Sequence, residues 1–588
     1  MLGNFGKSII LIFLLINISK VVAQKDNYIS VVIPEEKITI TNLSKYRVAA
    51  NTLPGSNVTI NDEKIKVYSS GAFVTLLKLE KGENKFEIIS ELNGKSVKEE
   101  FKIIREEKNL ETTADDVLTI EDDLMMPKDD LWLNSGDILE VKIKGTPNGK
   151  ATFLNGIAMT ELPVSETNGI KGIYTGIYKV TDNDDYNDLP IAFKLEKDGK
   201  TFTKNSKSKI SMIPAQLPRV GVTKGERPSL NYGLGTDRLG GSKLSFLEEG
   251  IKLIIDGKVG DQYRVKLADN LTSWISTDQV ELQPIGTFLP NSLTDSWVAY
   301  GGKNFDKIII NLSEKLPFST RQEINPTRII VDIYGATSNS NWITQQLTTE
   351  GIKNLNYEQV ENNLFRITIE PKRKQIWGYK IGYSDTALEI EIKKQPEILK
   401  FDKLSFVLDA GHGGDNNGAL GATGLLEKNV TLDIVNRLEK MLIAKGARVN
   451  KTRDDDTYAL NSARLQKVFN YDPDILISIH ANSIGYNSDP VKISGTSTYY
   501  KYIAFRPLSV KIYEKMLELG LEPFGNVGNF NFYLNSPTEL INVLVETAFM
   551  SNPNDEIKLM DSEFKDNICK KIIQGIQEFL YECEDNWN

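Results

Sequence analysis

The chain has 588 residues, 40% hydrophobic and 25% charged, with 70 Lys+Arg against 79 Asp+Glu for a formal charge of −9. That length exceeds what one core sustains, so several domains are expected. The negative balance, with no concentrated basic surface, excludes nucleic acid as a partner, and the large apolar share excludes a disordered chain. At the amino terminus, Lys7 precedes an apolar run, Ile9 to Ile16, and the small-residue stretch Val21-Val22-Ala23 before polar Gln24. This order predicts a secretory signal over 1–23, removed after Ala23. The run is far shorter than the roughly 20 residues a spanning helix needs, so the mature chain is expected to be exported without a membrane span.

Four all-β modules are predicted next. Residues 28–107 alternate in short pieces such as Lys37-Ile-Thr-Ile-Thr, Ala72-Phe-Val-Thr-Leu-Leu and Lys85-Phe-Glu-Ile-Ile, with turns at Pro54-Gly55 and Lys81-Gly82. That spacing suits a small antiparallel sandwich and resembles the immunoglobulin-like modules of exported bacterial enzymes. After a polar linker, Glu106 to Asp116, residues 115–214 repeat the pattern in Ile138-Leu-Glu-Val-Lys-Ile-Lys and Ile191-Ala-Phe-Lys-Leu-Glu, predicting a second β-sandwich. Residues 218–284 place Gln262-Tyr-Arg-Val-Lys-Leu before Ser273-Trp274-Ile275 and resemble the bacterial SH3-like barrel. Residues 292–395 carry Lys307-Ile-Ile-Ile-Asn-Leu, Leu316-Pro317-Phe318 and Arg328-Ile-Ile-Val-Asp-Ile-Tyr. They are similar to the β domain that localises many wall amidases to peptidoglycan.

From 402 to 583 the period changes. Strands at Leu404–Leu408, Ile475–Ile479 and Val543–Val545 alternate with helices around Leu432–Leu442, Leu508–Leu519 and Phe564–Leu580. Alternation of this kind predicts a C-terminal α/β domain with a mostly parallel sheet. Cys569 and Cys583 fall in the last helix, roughly 21 Å apart along its axis, which rules out a disulfide between them.

The chemistry is concentrated here. The chain has only two histidines, His412 and His480, and each ends an apolar run, L-S-F-V-L-D-A-G-H and I-L-I-S-I-H. Both imidazoles should leave the sheet at strand ends. A catalytic zinc takes about three protein ligands and keeps one position open. Glu427 suits the third place, after Gly424-Leu-Leu at a helix start, where a carboxylate is electrostatically favoured. An isolated Glu there would more simply be an exposed helix-start charge. Glu546 ends the buried run Leu544-Val545, an expensive position without a partner or a task. It is expected to be the general base; the competing reading is a salt bridge to Arg453 or Arg464.

With these residues stand Asp409-Ala-Gly-His-Gly-Gly414, Glu427-Lys428, Thr452-Arg453-x-Asp455, Ser478-Ile-His-Ala-Asn482, Gly495-Thr496 and Val545-Glu546-x-x-Phe-Met-Ser-Asn-Pro553. The set resembles the zinc-dependent N-acetylmuramoyl-L-alanine amidases that act on sporulation- or division-associated wall. The resemblance implies hydrolysis of the amide between N-acetylmuramic acid and L-alanine in peptidoglycan, in the periplasm or at the cell wall, alongside division or wall-localisation partners. It also implies zinc as cofactor, with His412, Glu427 and His480 as ligands and Glu546 as catalytic glutamate. Arg453, Arg464 and Asn482 are supporting candidates, the two arginines as structural ion-pair partners rather than substrate ligands. Ala410 stands where the family usually has Pro. Two alternatives remain: a non-catalytic wall-binding protein, and a zinc peptidase cutting the stem peptide. Some Gram-negative relatives plug the cleft with an extra helix after the second histidine. Ser483 to Ser494, with Gly485 and Pro490, is too short to form one, so an open cleft is expected, as is chemistry independent of the β modules.

Overall fold

A computed structural model describes residues 27–107 and 110–585; the signal expected over 1–23 lies outside them. The chain is multidomain, with β modules followed by an α/β domain. In the first module, a three-stranded sheet (Ser30–Ile33, Lys45–Asn51, Ala72–Lys78) and a five-stranded one containing Gly82–Leu92 and Lys95–Arg105 enclose Val48, Phe73, Ile88 and Phe101. The second is built on the long hairpin Tyr186–Lys197 and Lys200–Met212. It does not end cleanly. Leu131–Leu133 pairs with Lys200–Met212 on one side and with Lys252–Val259 of the third module on the other. One sheet therefore runs through both, and Arg264 bonds Asp137 across the junction at 2.8 Å. The fourth module has a five-stranded sheet containing Trp297–Gly301 and Ala387–Lys393, and a four-stranded one containing Thr327–Tyr334 and Leu364–Pro371.

The C-terminal domain comprises β1 (Ser405–Ala410), α1 (Glu427–Ala444), β2 (Arg448–Lys451), α2 (Asn461–Tyr471), β3 (Ile475–Asn482) and β4 (Thr496–Tyr499), then α3 (Arg506–Leu517), β5 (Pro523–Val527), β6 (Ile541–Phe549), α4 (Pro553–Met560) and α5 (Ser562–Asp585). The sheet order is β2-β1-β3-β6-β4-β5. The ladder between β4 and β6 is antiparallel and the others are parallel. Central strands read as continuous apolar runs because both faces are covered. Phe406 and Leu408 pack with residues of α1, α3 and α5, whereas the intervening Val407 packs with Leu465 and Val468 of α2.

The β modules are not appended loosely. One core unites Ile255 of the third module, Ile367 of the fourth and Ile576 of α5. Trp377 lies over Phe579 with ring centroids 6.3 Å apart, and the Tyr379 N–H donates to the Thr538 carbonyl at 2.8 Å. The first module reaches the same domain from another side. Its Arg47 N–H donates to the Tyr486 carbonyl at 2.6 Å, Tyr46 stacks on Tyr486 at 5.3 Å, and Asn51 Nδ2 donates to the Ala422 carbonyl at 3.0 Å.

Both cysteines are buried and unpaired within α5. Burial pushes each thiol up to about 12, so the reactive thiolate is scarce at neutral pH. Iodoacetamide at pH 8 should leave both unmodified in the native protein and label both in denaturant, read by intact mass.

Candidate active site

The site forms where β1, β3 and β6 deliver their carboxyl ends, the edge at which open α/β sheets bind ligands. β1 breaks after Ala410 into Gly411-His412, and His412 takes φ 61°, the left-handed region that non-glycine residues rarely enter. Surrounding bonds hold it there. Arg464, 3% exposed, donates from Nη1 to Asp409 Oδ1 at 2.8 Å and to the Ala410 carbonyl at 2.6 Å, and from Nη2 to the His412 carbonyl. Arg453 donates from Nε to the Ala410 carbonyl at 2.9 Å, and from Nη2 to the Gly411 and Lys428 carbonyls at 2.9 and 2.8 Å. Gly411 permits the turn: a Cβ there would lie 2.4 Å from the His480 ring.

The expected four residues come together. Glu427, the first residue of α1 and 4% exposed, presents Oε2 to His412 Nε2 at 3.1 Å and Oε1 to His480 Nδ1 at 3.1 Å. The Ala419 and Ala481 N–H groups donate to the two oxygens at 2.7 and 3.0 Å. Burial would raise the Glu427 carboxyl, but the two imidazoles hold it well below the ordinary range. Burial likewise opposes charge on His480, and the Glu427 carboxylate outweighs it, raising that imidazole. Glu546 stands beside His480 in the parallel register of β3 and β6. Its Oε2 is buried without a hydrogen-bond partner, and burial, despite the pull of His480, pushes its carboxyl up to about 7.

One donor atom each from His412, Glu427 and His480 lie within 4.8 Å of one another. His480 Nε2 is a buried nitrogen with no partner, and a Cβ on Gly418 would fill the space at 2.5 Å from Glu427 Oε2 and 2.6 Å from His412 Cδ2. Two imidazoles and a carboxylate converging on a cradle closed to side chains form a donor set that suits zinc. His412 Nδ1 meets Asn416 Oδ1 at 2.9 Å, a contact that fixes the tautomer with the lone pair on Nε2.

The supporting candidates divide. Arg464 makes the ion pair expected of it, but with Asp409. Arg453 pairs with no carboxylate among the described residues and bonds carbonyls instead, and neither arginine bridges Glu546. Asn482 stands off the cluster; its Nδ2 donates to the Tyr499 hydroxyl at 3.4 Å. Sequence reasoning quoted Asp409 in a motif without giving it a role, and missed Asn416 and an aromatic wall. Phe532 meets the His480 ring edge-on at 5.6 Å, and Tyr499 lies against Phe530 at 4.5 Å. Asp409 accepts from Thr452, Ser478 and Arg464; a fully buried acid in an apolar strand was the signal available for it. The Ser483–Ser494 segment is turns and loop without a helix.

Residues 406–578 match the N-acetylmuramoyl-L-alanine amidase family, and 297–392 match the AMIN domain. The N-acetylmuramoyl-L-alanine amidase LytC of Bacillus subtilis is 35% identical over 173 residues, which are 29% of this chain and 34% of LytC. This chain thus spans about a third of LytC. The germination-specific N-acetylmuramoyl-L-alanine amidase of Bacillus subtilis is 31% identical over 195 residues, 30% of this chain and 80% of that protein. Among solved structures, the amidase AmiC2 of Nostoc punctiforme shares 30% identity over 30% of this chain and 98% of that one, with a TM-score of 0.29. With four-fifths of the germination-specific enzyme covered at this identity, the chain belongs to the N-acetylmuramoyl-L-alanine amidase family.

Proposed function

We propose that the protein is an exported peptidoglycan hydrolase that cleaves the amide between N-acetylmuramic acid and L-alanine. The observation that carries this is Glu546, its Oε2 buried without a partner, in register with His480 and beside the His412–Glu427–His480 cluster. Those three residues would hold a zinc ion, which when bound supplies Lewis-acid polarisation of the scissile carbonyl and activation of water. Glu546, with its carboxyl raised toward neutrality, takes a proton from the attacking water and returns it to the leaving amine nitrogen. Phe530, Phe532 and Tyr499 exclude bulk water on one side of the cleft. Arg453 and Arg464 act as positioning residues by fixing the carbonyls of the turn that presents His412. Asn482 serves the same end more remotely, through Tyr499.

In this reading the chain divides into modules 28–107, 115–214, 218–284, 292–395 and 402–583. The first two are immunoglobulin-like sandwiches, the third an SH3-like barrel, and the fourth the wall-localising domain that the AMIN match supports. Among the described residues no helix is long and apolar enough to cross a membrane.

His412→Ala and His480→Ala should each lose most bound zinc, measured by metal analysis of the purified chain, together with turnover on purified sacculi. The wild-type product should carry a new L-alanine amino terminus. A new terminus further along the stem peptide would instead identify a peptidase, and zinc-loaded protein without turnover a wall-binding protein.

A further inference from the structure

A cavity of 670 Å³ lies where the third module, the fourth module and the C-terminal domain meet. Its volume is in the range of ligand sites, and it contains none of the four residues discussed above. Four cations line it: Arg321 is paired with Asp332 at 3.2 Å, and the other three, Arg227, Lys243 and Lys501, each come from a different stretch of chain. None of these three has a carboxylate within ion-pair distance among the described residues. The Lys501 ammonium rests over the Phe246 and Tyr502 rings at 5.1 and 5.6 Å. Arg227 donates to Ser536 Oγ at 2.7 Å and lies over Phe246 at 4.2 Å. Among the described residues, Lys243 bonds only Asn231 Oδ1 and the Gly240 carbonyl, at 2.8 and 3.1 Å.

The same wall has unpartnered polar atoms. Gln322 accepts the Ala504 N–H through Oε1, and its Nε2 is buried with no acceptor. Glu539 Oε2 is also buried without a partner; burial raises that carboxyl, and Arg227 opposes the rise. Burial, then Arg227 and Lys243, lower Lys501 to about 7. Glu226, Glu248, Glu249 and Glu539 also line the cavity, none of them within ion-pair distance of these three cations among the described residues, so an anion seated among Arg227, Lys243 and Lys501 would relieve their mutual repulsion. The Arg227 backbone itself takes φ 57°, a strained conformation that places its guanidinium in this group.

The cavity also adjoins the chemistry. One of its walls is the hairpin of Ser229–Asn231 and Lys243–Phe246, and the loop joining those strands carries Arg238, whose charge acts on Glu546 and Tyr499. Lys501 lies two residues beyond Tyr499 on the same chain segment.

We propose that this three-module cavity binds a carboxylate-bearing peptide segment of peptidoglycan, with Lys501, Arg227 and Lys243 receiving the carboxylate and Gln322 Nε2 donating to a peptide carbonyl. This rests on the amidase reading for the identity of the polymer but uses separate residues. Removing one charge-assisted hydrogen bond should weaken binding about 10- to 100-fold.

The test is calorimetric titration of the full chain with the dipeptide L-Ala-γ-D-Glu, its fully amidated form, and succinate. The dipeptide should bind, Lys501→Gln and Arg227→Gln should each weaken it about tenfold or more, and the amidated form should fail. Lys501→Met keeps the apolar stem over Phe246 without the charge and should behave as Lys501→Gln does, with an unchanged melting temperature. Turnover of a soluble muropeptide should keep its kcat in these variants while KM rises. Unaltered dipeptide affinity in both charge variants would overturn the proposal. So would succinate binding as tightly as the dipeptide, which would make the cavity a site for free small anions. Dipeptide binding through Lys501 in a chain without amidase activity would instead count against the amidase reading alone.

Discussion

Glu546→Gln should abolish turnover while leaving zinc in place. The amide is nearly isosteric with the acid but cannot take a proton, and losing a general base costs about 10² to 10⁴ in rate. The three proposed ligands stay untouched, so metal analysis should match wild type. Because the Glu546 carboxylate is buried with one oxygen unpaired, replacing it by a neutral group should not lower the melting temperature. The titration follows the same residue. A base must be deprotonated, so turnover should rise with pH through an acid limb at or below about 7, drawn lower by any nearby bound cation. Glu546→Gln should flatten that limb in its residual activity. Zinc loss in this variant would overturn the division of roles between base and ligands.

Arg464→Met should be the most destabilising single change near the site. It leaves Asp409, fully buried, as a charge without its cation, and breaking such a pair costs about 3–5 kcal/mol. Burial alone would raise the Asp409 carboxyl; Arg464 and the Ser478 and Thr452 hydroxyls hold it below the ordinary range. The group therefore contributes stability above its unfolded pKa, lost as pH falls through the lowered folded value. In Arg464→Met the acid transition should move to higher pH. Asp409→Asn added to Arg464→Met should recover part of the loss, since no buried charge then remains. Denaturant and pH titrations of the melting temperature test both statements. An Arg464→Met protein as stable as wild type would show that the turn at His412 is held by Arg453 alone.

Much of this was legible in the residues. Two histidines, each at the end of an apolar run, marked the sheet edge, and an acid closing the run Leu544-Val545 marked the position opposite. Strand periodicity also marked the part of the chain before the C-terminal domain as β-rich. What escaped notice did so for physical reasons. α2 has few apolar positions, Leu465, Val468 and Phe469, because one of its buried side chains is Arg464, which in sequence looks like a solvent-facing charge. β5 contains Pro523 and Gly525 and pairs only along one side, so an edge strand resembled a loop. Asn416 and Phe532 have no periodic signal at all; loops place them, and their role depends on where the chain returns. Junctions are also invisible to local pattern: nothing in Leu131–Leu133 announces that it bridges two modules, or in Trp377 that it packs on α5.

That continuity of packing has a consequence for how the enzyme would work on an insoluble polymer. A domain on a flexible linker raises the effective concentration of substrate around a cleft, over a span set by linker length. Here the AMIN domain and the cleft share one core, so distance and angle between them are fixed. If the proposed function holds, anchoring on peptidoglycan would behave as a caliper rather than a leash: it would present to the cleft only those amide bonds that lie at one separation from the anchor. Cuts made by such an enzyme would be spaced by its own shape, with the architecture of the wall deciding how many bonds come into register.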